Sequence, residues 1–318
     1  MYLVCDWEDN VAHYNLPLQY RKRFEEMCSV VGIALVFCRT RDEWPDLHKI
    51  VAYVGNRPES EILHSTSLKW VHFGSVGTDR LDSRVASEQG VMITNSQGIF
   101  DNAVALHGLA RVLNRLVPKC GLRAGSAFNR ESWEESTTKA DDAFFHVLGN
   151  GPIAQRLCIM LSSLGLSVRA YTRAPSKYDL PYEVVKYDQR SESNGGKSFV
   201  INLLPASEDT NRLVSASFLQ KFGSIQYYLN IGRPNTESLD DIRALMLSGT
   251  IEYAGWDVLR DERICLALKS QFNDRVDFTP HVAAFTTDHW SASFELLKGN
   301  LSCFLSGDFA SMQNRVNA

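Results

Sequence analysis

A chain of 318 residues, 44% hydrophobic and 22% charged, has ordinary globular composition and is long enough for one large domain or two. Its formal net charge of −4 comes without a basic arm or stripe, which argues against a nucleic-acid partner. No apolar run reaches the roughly 18 residues of a membrane span, and the first residues carry no basic leader region. The expectation is therefore a cytoplasmic protein without a membrane partner. Seven scattered cysteines with no C-x-x-C pair read as reduced packing thiols, so neither a disulfide framework nor a metal site is expected.

In chain order, "RKRF" at 21–24 followed by "EE" reads as the solvated face of a helix. Short β-rich runs at 34–38, 50–55 and 68–74 read as strands. Residues 102–116 carry apolar side chains at helical spacing. A polar patch at 129–142 precedes a clearer alternation. Strands are predicted at 143–149, 167–173, 183–187, 198–205, 225–232, 251–258 and 276–280. Helices are predicted at 152–165 and 238–249, the second with Ser238 as N-cap and Gly249 at its end. Repeated strand–helix–strand units imply parallel sheets covered on both faces.

The stretch "VLGNGPIA" places Gly149, Asn150, Gly151, Pro152 and Ile153 between a strand and a helix. It is G-x-G-x-x-A in the context that gives the pattern meaning. The first glycine permits the tight turn, and the second lets backbone amides approach a pyrophosphate. Ala154 suffices where close helix–sheet packing alone is required. The helix N-terminus adds partial positive charge, and Pro152 loses no donor in the first turn. NAD-selective sites carry an acid about 20 residues after the glycines. Here Thr172 stands at that place, with Arg173 and Lys177 beside it, which favours NADP(H) while leaving NAD(H) possible.

Four further stretches, "INLLPASEDT", "YLNIGRPN", "GWDVLRDE" and "FTPHVAA", follow in order, and "GSVGTDRLD" precedes them. Together with the glycine turn they resemble the D-isomer-specific 2-hydroxyacid dehydrogenases, closest to the glyoxylate/hydroxypyruvate reductase branch. The likeness runs from about residue 65 to 305. It implies an α/β fold of two Rossmann-like domains with parallel sheets. A flavodoxin-like substrate domain (1–97 and 286–318) would carry an inserted dinucleotide-binding domain (98–285), with the active site between them and a homodimer as the assembly. It also implies Arg233 as the substrate-binding arginine, Glu262 as the glutamate that orients the histidine, and His281 as the catalytic acid. Asp257 would face the nicotinamide amide, and Leu204, Pro205, Thr210 and Ile231 would line the cofactor channel. The backbone of Val54, Gly55 and Asn56 would hold the substrate carboxylate. The sequence departs from the family pattern at Pro234, Arg263 and Leu106, each in a familiar motif.

A lone histidine after Thr-Pro is more often a packing residue. The combination of three polar groups at strand ends favours chemistry, because an open sheet binds ligands at that edge. Reducing a 2-oxo acid to the D-2-hydroxy acid needs a hydride on the carbonyl carbon and a proton on its oxygen. Imidazolium is a suitable acid near neutral pH. Guanidinium binds a carboxylate with two directed donors. Two alternatives stay open at this point. One is a biosynthetic dehydrogenase of a larger or phosphonate-bearing acid. The other is a nucleotide-binding regulatory protein on the same fold.

Overall fold

The computed structural model describes residues 1–7, 16–56, 58–78, 80–117, 139–173, 180–188, 196–259, 261–286 and 289–316. Lys177 and most of the polar patch at 129–142 lie outside them. The chain divides into two compact units, Met1–Phe100 with Thr286–Ala318, and Asp101–Phe285.

The first unit is a five-stranded sheet of β1 (Tyr2–Cys5), β2 (Ala34–Phe37), β3 (Ile50–Gly55), β4 (Trp70–Phe73) and β5 (Met92–Thr94). The order is β2-β1-β3-β4-β5 with every pair parallel, the flavodoxin-like order. Every residue of β3 and β4 is buried, as expected for strands covered on both faces. Helix α1 (Leu18–Val30) and, from the end of the chain, α8 (His289–Ser306) pack Phe24, Cys28, Phe294, Leu297 and Leu301 with Trp70. Helix α2 (Ser83–Glu88) begins at Asp82, whose carboxylate accepts from the Arg84 amide at 2.8 Å.

The second unit begins with α3 (Asp101–Leu116). Its sheet holds β6 (Ala143–Leu148), β7 (Ser167–Thr172), β8 (Glu183–Lys186), β9 (Lys197–Asn202), β10 (Ile225–Asn230), β11 (Ile251–Trp256) and β12 (Val276–Phe278). Helices α4 (Pro152–Ser163), α5 (Ala216–Leu219), α6 (Leu239–Leu247) and α7 (Glu262–Phe272) connect them. The order β12-β11-β10-β9-β6-β7-β8 is parallel throughout. The order reverses between β6 and β9, and a doubly wound sheet takes its ligand at that switch point. Ser238 precedes α6 but does not cap it with its side chain. Its hydroxyl accepts from the Arg212 guanidinium at 3.1 Å instead. Gly249 ends the turn after α6 at φ +80°, a conformation only glycine adopts freely.

Candidate active site

The glycine turn leaves β6 at Gly149, whose φ of +111° and closeness to the Leu203 carbonyl exclude a side chain. Gly151 caps α4 with nothing within 4 Å of where a Cβ would stand. Behind it the amides of Ile153 and Ala154 lie in the first turn, where no helical acceptor exists. An open cradle of amides at a helix N-terminus fits a pyrophosphate. Asn150 is fixed beside it. Its carbonyl accepts from Gln155 at 3.0 Å and its side-chain oxygen from the Tyr182 hydroxyl at 3.2 Å.

At the end of β7, Thr172 is half-buried and Arg173 is exposed. The Arg173 guanidinium forms an ion pair with Asp209 from the loop after β9. That loop is braced by a capping box in which Thr210 donates to the Pro205 carbonyl at 2.6 Å and accepts from the Ser207 amide at 3.0 Å. The Thr210 hydroxyl thus holds the loop together. Leu204 and Ile231 are buried and Pro205 is exposed.

His281 sits in a tight turn after β12. Its amide donates to the Thr279 carbonyl at 2.9 Å and its φ is +59°, unusual for a residue with a side chain. Asp257, 2% exposed at the end of β11, grips both sides of it. The Thr279 hydroxyl donates to this carboxylate at 2.6 Å, the Val282 amide at 2.9 Å and the Ala283 amide at 3.2 Å. Charge-assisted bonds of this kind are among the stronger ones. The sequence reading placed Asp257 against a nicotinamide amide; in the fold its carboxylate holds the histidine turn.

Three residues that the sequence did not single out stand on α3. Arg111 donates to the Thr279 hydroxyl at 2.9 Å and pairs with Asp277 on β12, and Arg115 joins that pair at 2.8 Å. His107 reaches the Thr279 hydroxyl at 3.4 Å and stands 3.9 Å from Asp257. Burial lowers the His107 pKa, Asp257 opposes that shift and Arg111 adds to it. The fully enclosed His72 and the buried His146 are pushed down to about 3 by burial and stay neutral near pH 7. Neither can serve there as the acid.

Arg233 follows β10 in extended backbone, φ −140° and ψ 141°, with its guanidinium donating to the Gly232 carbonyl at 2.9 Å. Glu262 departs from expectation. It opens α7, exposed, and among the described residues its carboxylate makes no hydrogen bond or ion pair. The N-cap of that helix is Asp261, which accepts from the Arg263 amide at 2.9 Å. The structure does not pair Glu262 with His281; Asp257 is the carboxylate that fixes the turn.

At the sheet edge of the first unit, the end of β3 meets the Asp6 carboxylate. The Asn56 amide donates to Asp6 at 2.8 Å, and the Tyr53 hydroxyl donates to the other oxygen at 2.6 Å. Gly55 leaves room for this carboxylate, since a Cβ there would lie 1.7 Å from it. The Asn56 amide is therefore already occupied. After β4 the pattern differs. The Val76 carbonyl accepts from Asn95 and the Gly77 carbonyl from Ser75, both at 2.8 Å. Among the described residues the Val76 and Gly77 amides have no partner.

Residues 117–283 match the model of the D-isomer specific 2-hydroxyacid dehydrogenase NAD binding domain. The chain belongs to this family. A hydroxypyruvate reductase of Thermotoga maritima is 24% identical over 250 residues, covering 77% of this chain and 80% of that protein. Two solved structures share the fold. The NADPH-dependent glyoxylate/hydroxypyruvate reductase of Sinorhizobium meliloti, with NADP and malonate, has a TM-score of 0.74 at 20% identity over 99% of this chain and 96% of that one. The D-lactate dehydrogenase of Aquifex aeolicus, with NAD and lactic acid, has a TM-score of 0.77 at 18% identity over 99% of both chains. Membership makes the chain an oxidoreductase with a nicotinamide dinucleotide cofactor. No described helix is long and apolar enough to cross a membrane.

Proposed function

We propose that this family member reduces a small 2-oxo acid of the glyoxylate or hydroxypyruvate type to the D-2-hydroxy acid, with NADPH preferred. The observation that carries the reading is the His281 turn, a strained backbone conformation held from both sides by a buried carboxylate. Such strain persists where the surroundings enforce it, commonly at working sites. The cofactor supplies the hydride when bound, and the turn at Gly149, Asn150 and Gly151 with the first residues of α4 would hold its pyrophosphate.

His281 gives its proton to the carbonyl oxygen as that oxygen gains charge. Arg233 binds the substrate carboxylate and polarises the carbonyl with directed donors. Thr172 in place of an acid removes repulsion against a 2′-phosphate, and Arg173 pairs with that phosphate once it leaves Asp209. The curated relative's name and the ligands of the Sinorhizobium meliloti enzyme support this substrate class and cofactor. A homodimer belongs to the same proposal; light scattering at the 35.8 kDa of one subunit would contradict it.

NADPH oxidation followed with glyoxylate, hydroxypyruvate and larger 2-oxo acids tests the proposal. Turnover highest with the two small acids is the expected result. Turnover with none of them would leave the chain a nucleotide-binding protein on an enzyme's fold.

A further inference from the structure

Glu237 lies just past Arg233 and is 6% exposed, yet none of the chemistry above uses it. Its carboxylate is bonded by three uncharged donors. The Tyr228 hydroxyl and the Asn230 amide group (2.8 Å) share Oε2, and the Trp256 indole donates to Oε1 at 2.7 Å. Among the described residues no lysine or arginine pairs with it. A buried carboxylate without a cation stabilises a fold less than a well-packed apolar residue would, and burial raises its pKa.

The contacts around it converge on the main chain of Arg233. The Asn230 side-chain oxygen accepts from the Gly232 amide at 3.0 Å, and its nitrogen donates to the Arg233 carbonyl at 3.2 Å as well as to Glu237. The Thr236 hydroxyl donates to the same Arg233 carbonyl at 2.6 Å. The Asn202 side chain donates to that hydroxyl at 2.9 Å and to Tyr228 at 3.2 Å. Glu237 therefore sets which way the Asn230 amide faces. Through Trp256 it also ties the end of β10 to the end of β11, the two strands that lead to Arg233 and Asp257.

We propose that Glu237 is a positioning residue that holds Arg233 in place for the substrate through Asn230. The inference rests on the reading of Arg233 as the residue that binds the 2-oxo acid. Glutamine cannot replace the carboxylate, because in either orientation its NH2 meets a donor, Trp256 on one side or Tyr228 and Asn230 on the other.

The test measures KM and kcat for glyoxylate and the NADPH Kd in the full chain, for Glu237→Gln alone and combined with Arg233→Ala. Because Arg233 both binds the carboxylate and polarises the carbonyl, KM should rise by about fivefold or more and kcat should fall with it. The NADPH Kd should stay within about twofold. In the Arg233→Ala background, Glu237→Gln should change kcat/KM by less than about twofold, since residues acting through one another are not additive. An unchanged KM, or an equal loss in both backgrounds, would overturn the proposal. If Arg233→Ala alone leaves KM unchanged, the substrate role of Arg233 fails instead, a separate result. Should Glu237→Gln not fold, Glu237→Met keeps the volume, removes the acceptors and is judged by the same criteria.

Discussion

The ends of β10, β11 and β12 differ in kind from the end of β7. At the first three, Arg233, Asp257 and His281 are held through buried groups. Asn202, Asn230, Thr236 and Glu237 are all buried, and each bonds to main chain or to another member of the set. At the end of β7 the groups are in solvent. Arg173 and Asp209 are paired with side chains 77% and 65% exposed. Exposed pairs contribute little to stability, so under the proposed function this one would give way to a 2′-phosphate. A proton donor and a carboxylate clamp need fixed positions, whereas the choice between two cofactors needs only a difference in local charge. Substitutions at the enclosed end should therefore cost far more than those at the open one.

The largest effect expected among variants of the holding groups is that of Asp257→Ala. It leaves the Val282 and Ala283 amides without their acceptor and frees a turn strained at His281. Small misplacements of a reacting group cost up to roughly a hundredfold, so kcat should fall by about 10- to 100-fold; a kcat near wild type would show that the clamp is not needed. Arg233→Lys comes next. A point charge cannot reproduce a two-pronged contact, and KM for the oxo acid should rise about tenfold with a lower kcat; wild-type kinetics would remove Arg233 from the site.

At the open end the numbers shrink. Arg173→Ala should reduce kcat/KM for NADPH by about tenfold, within the range of a charge-assisted bond, and leave NADH unchanged. Equal weakening of both cofactors would make Arg173 a plain loop residue. Asp209→Asn should do the opposite and on a smaller scale. Release of Arg173 from an exposed pair, typically worth about 1 kcal/mol or less, should raise kcat/KM for NADPH by no more than about fivefold. A fall in NADPH efficiency in that variant would mean that Asp209 assists the cofactor instead of competing with it.

What the sequence made legible follows the same division. The glycine turn could be read because its requirements are local: a positive φ at Gly149, open space at Gly151 and a helix directly behind. The alternation of strands and helices showed the parallel sheets. Helix α8 escaped because Ser293 and Asn300 are buried on it, breaking the apolar stripe; Asn300 turns inward to bond the Gln313 backbone. Strands β1 and β5, four and three residues long, were not read from the sequence. In the site, residue positions were readable but their contacts were not. Asp257 meets amides 25 and 26 residues further along the chain, and nothing near "GWDV" signals that. Glu262 lies five residues after Asp257, yet α7 starts there and leaves it in solvent. Glu237 sits in a polar run that reads as an ordinary loop, although the fold closes over it.

His281 carries the proposed chemistry most directly. NADPH oxidation with glyoxylate and NADPH affinity should be measured side by side for the wild-type chain and His281→Ala. Removal of a positioned acid should lower kcat by roughly two to four orders of magnitude, with the NADPH Kd nearly unchanged. A variant that turns over at close to the wild-type rate would contradict the assignment of the proton donor, and with it the mechanism built on the clamped turn.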